Sequence, residues 1–146
     1  MSGSDGVVGR NIRNGVEELD KKTGYAAVVA VDDSKPYVFV DLGEHDLTDY
    51  TYDQDEARVI LRLHKDFPNG QHYGMITVPV LTVDGKQPDN TTENHGQASC
   101  LRDAGIEEDY LYWSRDWREV PVSEPQHMVR ATAFVRGTLG SPFQNQ

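Results

Sequence analysis

Only one cysteine occurs among the 146 residues, so no disulfide can close within the chain, and a lone thiol suits a reducing compartment. No apolar run approaches the roughly 20 residues needed to cross a bilayer. The start Met1-Ser2-Gly3-Ser4-Asp5 lacks the basic patch and apolar core of a signal segment. A cytoplasmic protein with no membrane partner is therefore expected. Basic residues are scarce, Lys and Arg numbering 14 against 24 Asp and Glu, for a formal net charge of -10. Such a surface repels a phosphate backbone, so no nucleic-acid partner is expected. The same acidity fits attraction of a basic partner, simple solubility or a salt-adapted host. A glycine-rich phosphate loop is missing, Asn69-Gly70 and Asp84-Gly85 being turn dipeptides. The five histidines, His45, His64, His72, His95 and His127, do not show metal-ligand spacing. Neither a metal nor another cofactor is expected.

What is present suffices for one core. Hydrophobic residues make up 37% of the chain, with 2 Trp, 7 Tyr and 4 Phe, which excludes global disorder. The length fits one domain. Residues 1–10 are small and polar and read as a flexible terminus, 11–140 as a single domain and 141–146 as a short tail.

Along the chain, Ile12, Val16 and Leu19 recur at helical spacing and predict a helix over Asn11–Lys22. Tyr25–Val31 and Tyr37–Leu42 read as two strands around the breaker Asp32–Pro36. The acidic stretch Gly43–Glu56 reads as a surface loop. In Ala57–His64, Val59, Leu61 and Leu63 alternate with Arg58, Arg62 and His64, the pattern of a half-buried antiparallel strand. Tyr73–Val83 supplies a fourth extended run, in which Pro79 marks an edge or bulge. Asp84–Glu108 shows no period of either kind. Ile106–Trp117 reads as one or two helical turns that pack Tyr110, Trp113 and Trp117 inward. Last, Ser123-Glu124-Pro125-Gln126 is a capping-box arrangement ahead of an apolar stripe, Met128, Ala131, Val135 and Leu139. The expected fold is α+β: an N-terminal helix, a four-stranded antiparallel meander, a long loop and C-terminal helices.

Several short motifs stand in a specific order. Phe67-Pro68 precedes the Tyr73–Val83 run, Gln87-Pro88-Asp89-Asn90 follows it, Gly96 precedes Cys100-Leu101, and Trp113-Ser114-Arg115-Asp116-Trp117 comes after. This order resembles the ubiquitin-conjugating enzyme superfamily, most closely a prokaryotic, bacterial subgroup of it. There, a tyrosine-proline turn, a last strand, a His-Pro-Asn element, a Cys-Leu pair and a Trp-Ser-Arg-His-Trp-like segment occur in sequence. The likeness covers roughly Gly24 to Leu139. Gln87 stands in place of the family's histidine, one extra residue precedes Asn90, and Asp116 stands in place of a second histidine.

The resemblance implies a transferase that accepts the C-terminus of a ubiquitin-like protein as a thioester on Cys100. It receives this cargo from an activating enzyme and passes it to a substrate lysine, leaving ATP chemistry to the activating enzyme. Cys100 sits among Gln97, Ser99, Arg102 and Asp103, a polar setting in which Arg102 would favour the thiolate. Asn90, with Asn94 behind it, is the candidate amide donor to the oxyanion, although both asparagines equally read as turn formers. Asp103, His95 and His127 are candidate groups for the proton of the attacking amine. The competing expectation is a catalytically inactive relative that binds a ubiquitin-like protein or its activating enzyme, with Cys100 a small buried hydrophobe. A third, an acidic structural domain, would draw on the charge alone.

Overall fold

A computed structural model describes residues 10–23, 26–32, 37–64, 74–96, 100–114 and 135–143. Helix α1 spans Arg10–Thr23. Strands β1 (Ala27–Asp32), β2 (Tyr37–Asp46), β3 (Glu56–His64) and β4 (Gly74–Val78) follow, then β5 (Thr91–Glu93), the four-residue helix α2 (Cys100–Asp103) and β6 (Leu111–Trp113). Residues 135–139 are helical again. All strand pairs are antiparallel, in the order β1-β2-β3-β4-β6-β5. No helix among the described residues is long and apolar enough to cross a membrane.

This corrects the expected architecture. Among the described residues the sheet has six strands rather than four, and helices contribute little. Leu111–Trp113, expected to be helical, pairs with β4 on one side and β5 on the other. Three-residue strands are too short to display a period of two, and neighbouring aromatics suit either a helix or a buried strand. The capping box, His127 and the first two residues of the apolar stripe, Met128 and Ala131, lie outside the described residues.

Both faces of the sheet are covered, so β3 is not the half-buried strand its alternation suggests. On one face Val38, Val40, Val59, Leu61, Leu63, Met75, Leu111 and Trp113 pack with Ile12 and Leu19 of α1 and with Val135 and Leu139. On the other, Phe39, Ile60, Ile76, Val78 and Tyr112 pack under Leu101, Ile106 and Tyr110. Side chains alternate between faces with period two, so Ile60 and Arg62 point into a second core rather than to solvent. Arg62 is only 3% exposed. Its guanidinium lies 4.0 Å from the Tyr37 ring centre and 5.2 Å from that of Tyr112, a cation-π stack that lets a charge be buried among apolar neighbours. Arg58, also expected outward, forms an ion pair with the fully buried Asp41.

Two turn devices shape the strands. β2 continues past its predicted end through an irregularity between Asp41 and Glu44, where Gly43 has a φ of 80° and its N–H donates to Asp41 Oδ1 at 2.8 Å. β4 is interior, so Pro79 is neither at an edge nor in a bulge; the strand simply ends at Val78, one residue before the missing donor. The Val78–Pro79 peptide is cis.

Candidate functional site

Residues 87–114 contain most of the motif positions, and their backbone path follows from a few side chains. Asn90 and Asn94 bracket β5, with φ of 57° and 50°. Asparagine tolerates this left-handed region better than most residues, and each uses it to turn the chain at one end of the strand. The Asn90 carbonyl accepts the Ser114 N–H at 2.8 Å, and the Asn94 N–H donates to the Tyr110 carbonyl at 2.9 Å, which together clamp β5 to β6. Ahead of β5, Gln87 Nε2 donates to the Thr91 carbonyl at 2.8 Å and to Thr91 Oγ1 at 2.9 Å. The residue standing in the place of a histidine thus shapes its own turn.

Asn94 is the hub of the loop that follows. Its Oδ1 accepts from the Tyr110 N–H at 3.1 Å and from Arg102 Nη2 at 2.9 Å, and its Nδ2 donates to Asp109 Oδ1 at 3.1 Å. Arg102 adds bonds from Nη1 to the carbonyls of Ile106 and Glu108, at 2.9 and 2.7 Å, and stacks 4.9 Å from the Tyr110 ring centre. The Arg102 guanidinium thus organises the loop, and the Cys100 side chain, whose thiolate Arg102 is expected to favour, lies outside what is described. The Asn94 side-chain amide is likewise occupied by loop contacts.

Helix α2, described from Cys100 onward, closes quickly for a clear reason. Gly105 takes a φ of 93°, its N–H donates to the Arg102 carbonyl, and the Ile106 N–H donates to the Leu101 carbonyl, both at 3.1 Å. That is a Schellman closure, and the accompanying apolar contact is present because Leu101 and Ile106 share one buried cluster. The closure fixes the backbone immediately after Cys100. Leu101 is fully buried, whereas Asp103 and Ala104 are exposed.

His95 lies just beyond Asn94, partly exposed. Its ring faces that of Tyr112, with centres 4.9 Å apart and planes 34° apart, and its carbonyl accepts the Tyr110 hydroxyl at 2.8 Å. Burial pushes the Tyr112 phenol pKa up, with the nearby Arg62 charge pulling the other way. His95, Tyr112, Arg62 and Tyr37 therefore form one line of stacked rings and guanidinium across this face of the sheet, ending at His64, whose ring meets Tyr37 edge-on at 6.0 Å. No sequence motif marks this line. Its trace in the sequence is Arg62 set among Ile60, Leu61 and Leu63, with aromatics on the strands either side.

Of the candidate residues, His95, Cys100 and Asp103 lie between β5 and β6, whereas Asn90 lies ahead of β5, at its other end beside Ser114; Asn90 and Asp103 are exposed. His127 lies outside the described residues. Trp113 is buried, and its Nε1 donates to Thr77 Oγ1 at 2.9 Å. Among the described residues, no group of three or more His, Cys, Asp or Glu is arranged to hold a metal ion. No protein-family model, curated protein or solved structure matches the chain.

Proposed function

We propose that the chain conjugates a ubiquitin-like protein, with Cys100 as the acceptor of the modifier's C-terminal acyl group. The observation that carries this reading is the anchoring of position 100: the fully buried Leu101 and the closure at Gly105 hold the following backbone in one conformation. A nucleophile must be presented repeatedly to a large partner, and a fixed backbone beside exposed polar residues meets that need. The thiolate attacks the thioester carbonyl of the modifier carried by an activating enzyme, whose own thiolate leaves. A substrate lysine amine then attacks the new thioester, loses a proton and releases Cys100. Asn90 is the group from which an amide donor to the oxyanion would come, with His95 and Asp103 as proton acceptors.

One set of contacts favours a second reading, a module that binds the modifier or its activating enzyme without carrying it. Gln87, Asn94 and Arg102, the polar residues around the motif, spend hydrogen bonds on loop structure. Incubating the chain with cognate activating enzyme, modifier and ATP separates the two. Conjugation predicts an adduct that reductant removes, that Cys100→Ala abolishes and that Cys100→Ser makes resistant to reductant. If Cys100→Ala retains the modifier or the activating enzyme undiminished and the native chain forms no adduct, the binding module stands and the transferase does not.

A further inference from the structure

The turn between Val83 and Lys86 is held from outside itself. Paired backbone bonds of 2.9 and 3.0 Å join Val83 to Lys86, and the two residues between them, Asp84 and Gly85, have φ of 51° and 78°. An Asp-Gly pair adopts such a turn by its own local chemistry. Yet the Asp53 carboxylate also grips both central residues: Oδ1 accepts the Asp84 N–H at 3.1 Å and Oδ2 accepts the Gly85 N–H at 2.9 Å. Thr82 Oγ1, at 2.8 Å from Oδ2, holds the carboxylate in place. Asp84, Gly85 and Lys86 are exposed, and no described atom lies within 4 Å of where a Cβ on Gly85 would stand. An aspartate followed by glycine is the pairing most open to cyclisation, because the following nitrogen has no side chain to shield it. The Gly85 nitrogen is the atom that such a cyclisation requires, and it is the one that Asp53 engages most closely within the turn.

We propose that Asp84-Gly85 is a site of spontaneous isoaspartate formation, and that Asp53 restrains the conversion by holding the Gly85 N–H. In the reaction the Gly85 nitrogen attacks Cγ of the protonated Asp84 carboxyl. The nitrogen gives up its proton and a hydroxyl leaves Cγ, so a water departs and a succinimide ring forms. Water then adds to either ring carbonyl, which restores the ordinary linkage or leaves the backbone routed through Cγ, with no net change in mass. While the N–H points at Asp53 Oδ2, the nitrogen is aimed away from Cγ. A carboxylate is far too weak a base to take an amide proton, so Asp53 fixes that proton without removing it. Conversion must then wait for a local opening in which the turn lets go of Asp53. A backbone lengthened by a methylene at position 84 cannot keep both Val83–Lys86 bonds, so the product would open the turn that leads into Gln87. This inference is independent of the proposed conjugation and uses no residue of the Cys100 stretch.

The test incubates the full chain at neutral pH and reads isoaspartate at position 84 by peptide mapping, beside a free peptide of the sequence Thr82-Val83-Asp84-Gly85-Lys86. The peptide is expected to convert at least about tenfold faster than the folded chain. Asp53→Asn, which keeps an oxygen acceptor without its charge, should convert faster than the native chain, and Asp53→Ala faster still. Asn14-Gly15 lies inside α1 and supplies a control for the fold as a whole: its deamidation should stay at the native rate in both variants. Equal conversion in the peptide and the native chain overturns the proposal, as do equal rates in the native chain and the two variants. Acceleration at Asn14 as large as at Asp84 in both variants also overturns it, because the loss would then belong to the whole fold. Slower conversion in Asp53→Ala than in the native chain would make Asp53 a promoter of the cyclisation and reverse its assigned part.

Discussion

The Tyr52 hydroxyl donates a 2.6 Å hydrogen bond to the Leu139 carbonyl, joining residues 87 positions apart in a buried setting. The Tyr52 ring also meets Trp113 edge-on, with centres 6.4 Å apart. Through this one side chain, the helical turn at 135–139 is fastened to the loop after β2 and to the last strand of the sheet.

Tyr52→Phe keeps the ring and removes the donor, leaving a buried carbonyl short of its partner. A loss of about 1–3 kcal/mol is expected in urea unfolding, together with faster amide exchange at residues 136–141. Unchanged stability would show that the bond does not hold the turn in place.

The ion pair between Asp41 and Arg58 is asymmetric, the Asp41 side chain being 1% exposed and that of Arg58 34%. Arg58→Ala strands a buried carboxylate and is expected to cost about 3 kcal/mol. Asp41→Asn keeps acceptor geometry for Gly43 and leaves an arginine that can turn to water, and should cost nearer 1 kcal/mol. Denaturant titration of both variants and the double variant checks the order; equal costs would contradict it.

Asp53 organises the turn before β5. Its carboxylate accepts from the Gly85 N–H at 2.9 Å, Thr82 Oγ1 at 2.8 Å and the Asp84 N–H at 3.1 Å. These bonds, the one from Gly85 foremost, hold its pKa below the usual 3.8. A lowered carboxyl pKa stabilises the folded form fully above the ordinary value, and the effect disappears as pH falls through the lowered one. Protection of the amides at residues 82–86, relative to their intrinsic exchange rates at each pH, should therefore fall on acidification in the native chain, and less steeply in Asp53→Asn. Parallel pH profiles would remove the carboxylate from the account.

A Cβ at Gly74 would lie 2.7 Å from the Tyr112 hydroxyl and 3.0 Å from its ring carbon. Tyr112 is buried between Arg62 and His95 and has little room to move. Gly74→Ala is expected to destabilise by about 1–3 kcal/mol, and adding Tyr112→Phe should recover part of that loss. Thermal unfolding of the single and double variants measures the coupling.

The sequence revealed the elements whose burial is one-sided or strongly periodic. Ile12, Val16 and Leu19 marked α1, and Val59, Leu61 and Leu63 marked one face of β3. It hid the second face because Arg62 looks like a solvent residue until Tyr37 and Tyr112, 25 residues before and 50 after it, are brought beside it. β5 and β6 were hidden by length, and Leu111-Tyr112-Trp113 was assigned to the wrong period. In the candidate site, the turn-forming asparagines were legible as a residue type. The use of Arg102 as a loop clamp was not, since that depends on carbonyls presented only after the chain has turned at Gly105.

The strand order has a consequence for synthesis. β6 lies between β4 and β5, so β5 has no neighbour to join until the ribosome has delivered residues 111–114, well after Cys100 has emerged. A nascent chain stopped at Asp109 would lack two strands instead of one. Completion of the sheet and closure of the backbone that carries Cys100 thus occur in the same late event.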